Sequence, residues 1–317
     1  MRVILWGTPV NHRDLQTGLE AIGGLEVVSA QSVDALARAL PGAEVLLMPV
    51  RHYNARVAAL LHEHRHTLKL LHTINAGYDA VLADPPPKGT IVASAGASLA
   101  PAIAEHVMAL WLALGRHFDV TMANQINEKW DESLRGDLRV LARRTVLIYG
   151  HGAIGKQVAQ RARAFGAHVI ACRRSGGSDP HVDEMITPAQ LDEALGRADR
   201  IVVSAPLTEE TRGFFNAERF AKVKRGAYFV NVARGQIVDT MALVEALKSG
   251  IIGAAGLDVT EPEPLPAGHP LWHMPRVLIT PHVSASDSNP LLAQFVVENM
   301  RRYLKGEALE ARLSEFD

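Results

Sequence analysis

The chain has 317 residues, a length typical of two domains, and its composition excludes several classes of protein. Its 33 Lys and Arg residues nearly balance 34 Asp and Glu residues, so a net charge of -1 gives no long-range attraction to nucleic acid or to an anionic membrane surface. The single cysteine, Cys172, excludes an internal disulfide framework and a multi-cysteine metal cluster, and it fits a reducing, cytoplasmic environment.

Short runs rich in β-branched residues alternate with amphipathic stretches, which is typical of parallel sheets with helices on both faces. The predicted strands are residues 3–6, 26–29, 45–48, 68–72, 146–149, 168–172, 201–204, 228–231, 254–258 and 277–280. A long helical segment predicted over residues 103–129 and a charged stretch over residues 131–144 separate them into two groups. The sequence therefore predicts an α/β fold of two doubly wound, Rossmann-like parallel-sheet domains with a cleft between them.

Residues 91–115 are the nearest approach to a membrane-spanning segment. They are poor in charge, but Pro101, Glu105 and His106 interrupt them, and the unbroken apolar piece is well below the roughly 18 residues that a membrane helix needs. We therefore expect a buried helix in a cytoplasmic protein, with no membrane partner.

Two later helices carry clear boundary signals. Asp239 is a predicted N-cap, and Gly250 follows the last turn as a stop. Asn289 and Pro290 open a second helix, which is predicted to close near Gly306.

A glycine-rich loop follows the fifth predicted strand. Gly150, Gly152 and Gly155 form a G-x-G-x-x-G pattern, and Ala153 and Ile154 lie at the start of a helix with apolar residues at helical spacing. In this context the first glycine permits a tight turn, the second lets a pyrophosphate approach and the third lets helix and strand pack closely. The sequence predicts that these five residues bind a dinucleotide, and the alternative is that the glycines serve packing alone.

Two arginines lie about 20 residues beyond the glycine loop, where an NAD-binding protein usually has an acidic residue for the ribose 2′-hydroxyl. Arg173 and Arg174 stand there instead. Guanidinium groups pair with a 2′-phosphate, which a carboxylate would repel. This favours NADP(H) as the cofactor, and the alternative is a pair of solvated arginines with NAD(H) bound.

Three polar segments follow successive strands in the second half of the chain. Arg234 follows one strand, Glu261 and Glu263 follow the next, and His282 follows a third. The carboxyl ends of strands in such sheets line the ligand crevice, so these side chains are expected to meet. A 2-oxo acid that accepts hydride needs a cation for its carboxylate, a proton donor for its carbonyl oxygen and a carboxylate that keeps the donor charged. Arginine, histidine and glutamate supply these functions.

The motifs together resemble the D-isomer-specific 2-hydroxyacid dehydrogenases, most strongly from residue 146 to residue 285. They occupy residues 150–155, 230–235, 257–259, 263–265 and 280–282, in that family's order and spacing. The resemblance implies that Arg234 binds the substrate carboxylate and carbonyl and that His282 is the general acid or base. It also implies that Glu263, rather than Glu261, pairs with His282.

Further positions are implied by the same resemblance. The implied cofactor contacts are Ala205, Pro206, Thr211, Val232, Ala233, Asp258 and Ala285. Asn75, Ala76 and Gly77, together with Arg234, are implied to hold the substrate. Residues 270–272 resemble the glyoxylate and hydroxypyruvate reductase branch, which agrees with NADP preference.

The sequence thus predicts NADPH-dependent reduction of a small 2-oxo acid, of the glyoxylate or hydroxypyruvate type, to the D-2-hydroxy acid. Residues 1–98 with 287–317 are expected to form a flavodoxin-like substrate-binding domain, and residues 99–286 an NAD(P)-binding Rossmann domain. The resemblance also implies a homodimer through the helices around residues 103–115.

Two other functions stay open. One is an NAD-dependent dehydrogenase of a larger D-2-hydroxy acid, and the other is a nucleotide-sensing, corepressor-like binding protein. No metal site is expected, because His62 and His66 share a helix face without a third ligand.

Overall fold

The computed structural model describes residues 1–7, 13–285 and 290–316. The chain divides into two compact units, one of Met1–Leu99 with Ala285–Asp317 and one of Ala100–Ser284. The boundaries predicted from the sequence lie after residues 98 and 286. Each unit is built on a parallel sheet, so the predicted α/β class with two parallel-sheet domains is confirmed.

The strands of the described residues are β1 (Arg2–Trp6), β2 (Glu26–Ala30), β3 (Ala43–Met48), β4 (Leu70–Thr73), β5 (Ile91–Ala93), β6 (Thr145–Tyr149), β7 (His168–Cys172), β8 (Glu184–Ile186), β9 (Arg200–Val203), β10 (Ala227–Asn231), β11 (Ile252–Leu257) and β12 (Val277–Ile279). The α-helices of the same residues are α1 (Arg13–Glu20), α2 (Val33–Ala39), α3 (Ala55–Glu63), α4 (Asp79–Ala83), α5 (Ala100–Gly115), α6 (Phe118–Ile126), α7 (Ala153–Ala164), α8 (Leu191–Arg197), α9 (Ala217–Phe220), α10 (Thr240–Lys248) and α11 (Pro290–Lys305).

The first unit has a five-stranded parallel sheet in the order β2-β1-β3-β4-β5. This is the flavodoxin-like order, in which the winding reverses between β1 and β3. The central strands β3 and β4 are buried almost throughout because helices cover both faces of such a sheet. Strand β5 was not predicted.

The second unit has a seven-stranded parallel sheet in the order β12-β11-β10-β9-β6-β7-β8. The winding reverses between β6 and β9, and ligands of open α/β sheets bind at the carboxyl ends of the strands at such a point. The fully buried side chains of β9 and β10 account for their continuous apolar character in the sequence. The short edge strand β8 was missed.

The single helix predicted over residues 103–129 is wrong in its length. The structure has two helices there, α5 and α6, with residues 116–117 between them. His117 has φ 55, in the left-handed region that a continuing helix cannot use. The apolar pattern runs through this break, which is why periodicity alone did not reveal it.

Helix α5 begins within the apolar segment that the sequence analysis singled out. The helical stretch Gly96–Gly115 is the one candidate among the described residues that is long and apolar enough to cross a membrane, and half of it is buried inside the protein. Leu110 packs against Gly256, where an added Cβ would lie 3.0 Å from it. These contacts are those of a core helix, as the sequence predicts.

The predicted boundaries of α10 are confirmed. The Asp239 side chain accepts a hydrogen bond from the Ala242 backbone N–H at 3.0 Å, and Gly250 follows the helix with φ 71. Helix α11 begins at Pro290 and ends one residue before Gly306. Its other predicted start signal, Asn289, lies outside the described residues.

Candidate active site

The glycine loop between β6 and α7 shows a different constraint at each glycine. Gly150 has φ 105, and a Cβ there would lie 2.3 Å from the Ala205 backbone nitrogen. A Cβ on Gly155 would lie 2.3 Å from the Gly150 carbonyl oxygen. At Gly152, by contrast, a Cβ would meet nothing within 4 Å. The first and third glycines therefore serve turn and packing, and the second leaves open space for a ligand to approach, as a pyrophosphate loop requires.

This loop lies at the reversal point of the sheet. The Ser204 hydroxyl, just beyond β9, donates to the Gly150 carbonyl at 2.8 Å, so the loops after β6 and β9 are joined. Helix α7 has 12 residues, and no side chain caps its N-terminus at Gly152. Its first backbone N–H groups remain available for an anion, and the positive end of the helix dipole favours one. The cradle therefore fits a dinucleotide phosphate.

A cavity of about 470 Å³ opens beside the loop and contains seven of the predicted cofactor residues. They are Gly150, Gly152, Arg173, Arg174, Ala205, Pro206 and Thr211. Both arginines therefore face the space in which a nucleotide would lie. Glu210 also lines the cavity. The pKa of its carboxyl is lowered mainly by the hydrogen bond from Thr208, and the positive charge of the nearby Arg174 adds to this effect. The groove thus holds two cations and one carboxylate.

The other predicted cofactor residues lie nearby in the second unit or at its boundary. Ala153 and Ile154 form the first turn of α7. Val232 and Ala233 are buried directly after β10. Asp258 follows β11 and is 1% exposed, whereas Ala285 is the first residue of the segment that belongs to the other unit. The cavity is also lined by nine residues that the sequence did not mark as ligand contacts. They are Tyr149, His151, Cys172, Ser175, Pro188, Ser204, Thr208, Glu210 and Phe214.

Four of those missed residues carry titratable side chains: Tyr149, His151, Cys172 and Glu210. His151 is 4% exposed, and its Nε2 lies 3.2 Å from Asp179 Oδ2, a contact across 28 residues that no sequence motif indicated. Burial lowers the pKa of His151. Burial raises the pKa of the Cys172 thiol to about 11, so this cysteine is an unreactive thiol at neutral pH.

Arg234 lies in a turn that the buried Asn231 holds in place. The Asn231 amide donates to the Arg234 carbonyl at 2.9 Å, and its oxygen accepts from the Ala233 backbone N–H at 3.0 Å. The half-buried Arg234 guanidinium donates to the Ala233 carbonyl at 2.7 Å. The end of β10 thus presents a permanently charged fork in a defined direction. Asn231 was not predicted as a site residue, although a polar residue at the end of an apolar strand is a usable signal.

The Arg234 turn packs directly on the loop after β11. A Cβ at Gly235 would lie 1.9 Å from the Thr260 carbonyl oxygen, so only glycine allows this approach. The Thr240 hydroxyl at the start of α10 donates to the Glu261 carbonyl at 2.9 Å. These contacts fix the loop that carries Glu263 against the turn that carries Arg234.

Glu263 and His282 form a hydrogen-bonded pair. His282 Nδ1 lies 2.6 Å from Glu263 Oε1, and the two side chains are 41% and 47% exposed respectively. The Glu263 hydrogen bond is the largest cause of a raised pKa at His282, and the pKa of Glu263 is lowered by the same contact. The nearby Arg234 opposes the rise at His282. The predicted trio of Arg234, Glu263 and His282 therefore converges, and Glu261 is not the partner of the histidine.

Asp258 organises the loop on which His282 stands. Its Oδ1 accepts hydrogen bonds from the Thr280 hydroxyl at 2.7 Å and from the Val283 backbone N–H at 2.9 Å. Both of its carboxylate oxygens accept from the Ser284 backbone N–H. His282 has φ 54, a left-handed conformation that costs a non-glycine residue about 1–2 kcal/mol, so the surrounding bonds must hold it there.

The predicted substrate loop lies in the first unit, directly after β4. Asn75 Oδ1 accepts from the Val50 backbone N–H at 2.7 Å, and the Asn75 carbonyl accepts from the Ala95 N–H at 3.0 Å. The half-buried Ala76 and Gly77 follow it. The loop is thus tied to the segments that follow β3 and β5.

No group of three His, Cys, Asp or Glu side chains within residues 1–7, 13–285 and 290–316 is arranged to hold a metal ion. In that part of the chain, His62 Nε2 instead contacts the Pro85 carbonyl oxygen at 3.1 Å.

The family comparison agrees with this geometry. Residues 108–284 match the family model described as D-isomer specific 2-hydroxyacid dehydrogenase, NAD binding domain. The chain belongs to this family. The matched residues include the glycine loop and the trio of Arg234, Glu263 and His282, so the expected family resemblance is confirmed.

Individual members of the family are similar over most of the chain. A glyoxylate/hydroxypyruvate reductase B of Escherichia fergusonii is 35% identical, over 88% of this chain and 87% of its own length. A D-3-phosphoglycerate dehydrogenase of Methanocaldococcus jannaschii is 32% identical over 94% of this chain, but the match spans only 57% of that relative.

A solved structure is similar over the whole chain. An NADPH-dependent glyoxylate/hydroxypyruvate reductase of Sinorhizobium meliloti, in complex with NADP and sulfate, has a TM-score of 0.84 at 30% identity. The alignment covers 99% of this chain and 98% of that one.

Proposed function

We propose that this protein reduces a small 2-oxo acid of the glyoxylate or hydroxypyruvate type to the D-2-hydroxy acid, with NADPH as the preferred reductant. The single observation that carries this proposal is the bond of 2.6 Å between His282 and Glu263 beside Arg234. His282 is the proton donor, Glu263 is the carboxylate that keeps the donor charged, and Arg234 is the cation. All three residues lie within the region that matches the family's nucleotide-binding domain.

His282 acts as the proton donor. Its Nδ1–H donates to Glu263, so Nε2 is the nitrogen left to deliver a proton to the carbonyl oxygen of the substrate. Because the carboxylate of Glu263 raises the pKa of His282, more of the imidazole is protonated at neutral pH than in an isolated histidine. The bound nicotinamide cofactor supplies the hydride.

Arg234 binds the carboxylate of the substrate. Its guanidinium is planar and permanently charged, so it can grip a carboxylate through two parallel bonds. Asn231 and Ala233 fix the backbone behind it, which limits the orientations that the bound acid can take. Asn75, Ala76 and Gly77 are proposed as further substrate contacts, on the resemblance to the family.

Arg173 and Arg174 support NADP(H) over NAD(H). Both line the cavity beside Gly152, where charge-assisted bonds to a 2′-phosphate are each worth about 1.5–3 kcal/mol. The Sinorhizobium meliloti enzyme of similar structure was solved with NADP. The carboxylate of Glu210 offsets part of this positive charge, so NAD(H) binding is weaker rather than absent.

The proposal is tested by a steady-state panel of 2-oxo acids with NADPH and with NADH. We expect the highest kcat/KM for glyoxylate or hydroxypyruvate with NADPH, and D-glycerate as the product of hydroxypyruvate. Binding of 2′,5′-ADP and of 5′-AMP, measured by calorimetry, gives a second readout. The variant Arg174→Ala should weaken the first ligand by roughly tenfold or more and leave the second nearly unchanged. Equal binding of both ligands to the wild type would overturn the NADP assignment.

A second candidate is an NAD-dependent dehydrogenase of a larger D-2-hydroxy acid. The observation in its favour is the 32% identity to a D-3-phosphoglycerate dehydrogenase. The same panel decides between the two, because this candidate predicts a preference for NADH and for a larger, phosphorylated 2-oxo acid.

A homodimer is proposed from the surface of α6. Phe118, Met122 and Ile126 recur at intervals of four on α6 and are 53%, 64% and 82% exposed, and Trp130, beyond the end of the helix, is 90% exposed. Large apolar side chains clustered on one face of a monomer mark an interaction surface. Sedimentation should show a dimer for the wild type and a monomer for Ile126→Glu, and a monomeric wild type would contradict the proposal.

A further inference from the structure

A histidine outside the predicted site contacts the residues that support His282. His106 lies on α5, and its Nε2 is 2.9 Å from the Thr280 hydroxyl oxygen. The same nitrogen is 3.7 Å from Asp258 Oδ1. The side chain of His106 is 20% exposed, so it faces the interior of the second unit rather than solvent. Its separation of 174 residues from Thr280 explains why no sequence motif indicated the contact.

The direction of each hydrogen bond in this group follows from the number of protons. The Thr280 hydroxyl has one proton to donate, and its oxygen lies 2.7 Å from Asp258 Oδ1. That carboxylate oxygen also accepts hydrogen bonds from the backbone N–H groups of Val283 and Ser284. A carboxylate oxygen with several donors around it is an acceptor, so the Thr280 proton goes to Asp258. The remaining contact of Thr280 must then be donated by His106, which places a proton on its Nε2.

The chain of bonds ends at the catalytic histidine. Asp258 accepts from the backbone N–H groups of Val283 and Ser284, and its carbonyl accepts from the His282 N–H at 2.9 Å. These bonds hold the left-handed backbone of His282 on both sides. A rotation of the Asp258 carboxylate would release two of them, and the Nδ1 contact with Glu263 depends on the position that they fix.

We propose that His106 is a positioning residue, whose Nε2–H orients Thr280 and Asp258 and thereby aims the His282 imidazole at Glu263. The proposal rests on the proposed function, because it assigns His106 to the same proton-donating site. In this role His106 does not contact the substrate directly.

The charged groups around His282 define what the loss of His106 would do. Glu263 and Asp258 raise the pKa of His282, and Arg234 lowers it. If the loop is no longer held, the 2.6 Å contact with Glu263 loosens while the repulsion from Arg234 remains. The pKa of His282 should therefore fall when the donor at position 106 is lost.

Two amide variants separate a donor at the right place from a mere polar side chain. In His106→Gln the amide nitrogen reaches the position of Nε2, whereas in His106→Asn it is too short and lies near that of Nδ1. Glu105→Gln is the matched control on the same helix, because the Glu105 side chain is 71% exposed and pairs with Arg161 on the surface.

The first readout is kinetic. We expect His106→Asn to lower kcat about tenfold or more, with KM within about twofold of wild type, because proton donation is needed only in the transition state. His106→Gln should retain kcat within about threefold, and Glu105→Gln should match the wild type. Equal losses in the Gln and Asn variants, accompanied by equal losses of thermal stability, would show that His106 serves only packing and would overturn the proposal.

The second readout does not need turnover. Titration of the histidine ring signals by NMR, with the His282 signal identified by its absence in His282→Gln, should show a lower midpoint for His282 in His106→Asn and an unchanged one in His106→Gln. An unchanged midpoint in both variants would overturn the proposal. If the wild type reduced no 2-oxo acid, the proposed function would fail, and this titration would still decide the role of His106.

Discussion

Replacing Gly235 by alanine should separate the two loops that carry the reacting side chains. The added Cβ would lie 1.9 Å from the Thr260 carbonyl oxygen and 2.7 Å from the Glu261 backbone nitrogen, whereas ordinary contact begins at 3.4 Å. The loops must therefore move apart by about 1.5 Å, and both obstructing atoms belong to backbone that cannot rotate away. A displacement of about 1 Å in a catalytic arrangement costs about 100-fold in rate, so kcat/KM should fall by at least that factor.

The assay compares steady-state reduction by Gly235→Ala and by Gly196→Ala. At Gly196, inside α8, a Cβ would lie 3.7 Å from the Lys222 carbonyl oxygen, an ordinary contact, and alanine is favoured over glycine in a helix by about 0.5–1 kcal/mol. Overpacking at Gly235 costs about 1–3 kcal/mol, which a domain stable by about 5–15 kcal/mol survives. Thermal unfolding should therefore show a folded protein. Activity within about threefold of wild type in folded Gly235→Ala would refute the loop packing described here.

Three further results are expected. Glu263→Gln should lower the pKa of His282, because the largest cause of its rise is removed. Reduction needs protonated His282, so the fall of the reduction rate with rising pH should begin at lower pH in this variant. An unchanged pH profile would contradict the pairing. Phe229→Ala should lower the free energy of unfolding, measured in urea, by about 3–5 kcal/mol. The side chain of Phe229 is fully buried, and its ring centroid lies 5.0 Å from that of Phe215. A loss below about 1 kcal/mol would contradict this core assignment. Arg234→Lys should raise KM for the 2-oxo acid and lower kcat, since lysine cannot form two parallel bonds, and unchanged steady-state constants would exclude Arg234 from substrate binding.

Strong local patterns predicted the fold well. Alternation of β-branched runs with amphipathic stretches is enough to identify parallel sheets, because buried strands must be continuously apolar. The short strands β5 and β8 were not predicted, since their formation depends on pairing with neighbouring strands and not on their own residues. The break between α5 and α6 was not predicted, because the left-handed backbone at His117 leaves the spacing of apolar residues in the sequence unchanged.

The candidate site could be predicted where each residue follows its own strand. Arg234, Glu263 and His282 each stand just past a strand end, and parallel topology alone brings such positions together. The supporting residues could not be found in this way. Asn231, Thr280 and His106 act through side-chain hydrogen bonds that span up to 174 residues, and such contacts leave no local pattern in the sequence.

The most direct test of the account is a single-turnover reduction of hydroxypyruvate by enzyme-bound NADPH, in the wild type, in His282→Gln and in the control His66→Gln, which alters an exposed histidine. General acid catalysis contributes about 10²–10⁴-fold. The wild type and the control should form D-glycerate at equal rates, and His282→Gln should be slower by about that factor. Formation of L-glycerate, or a His282→Gln rate within about threefold of wild type, would contradict it.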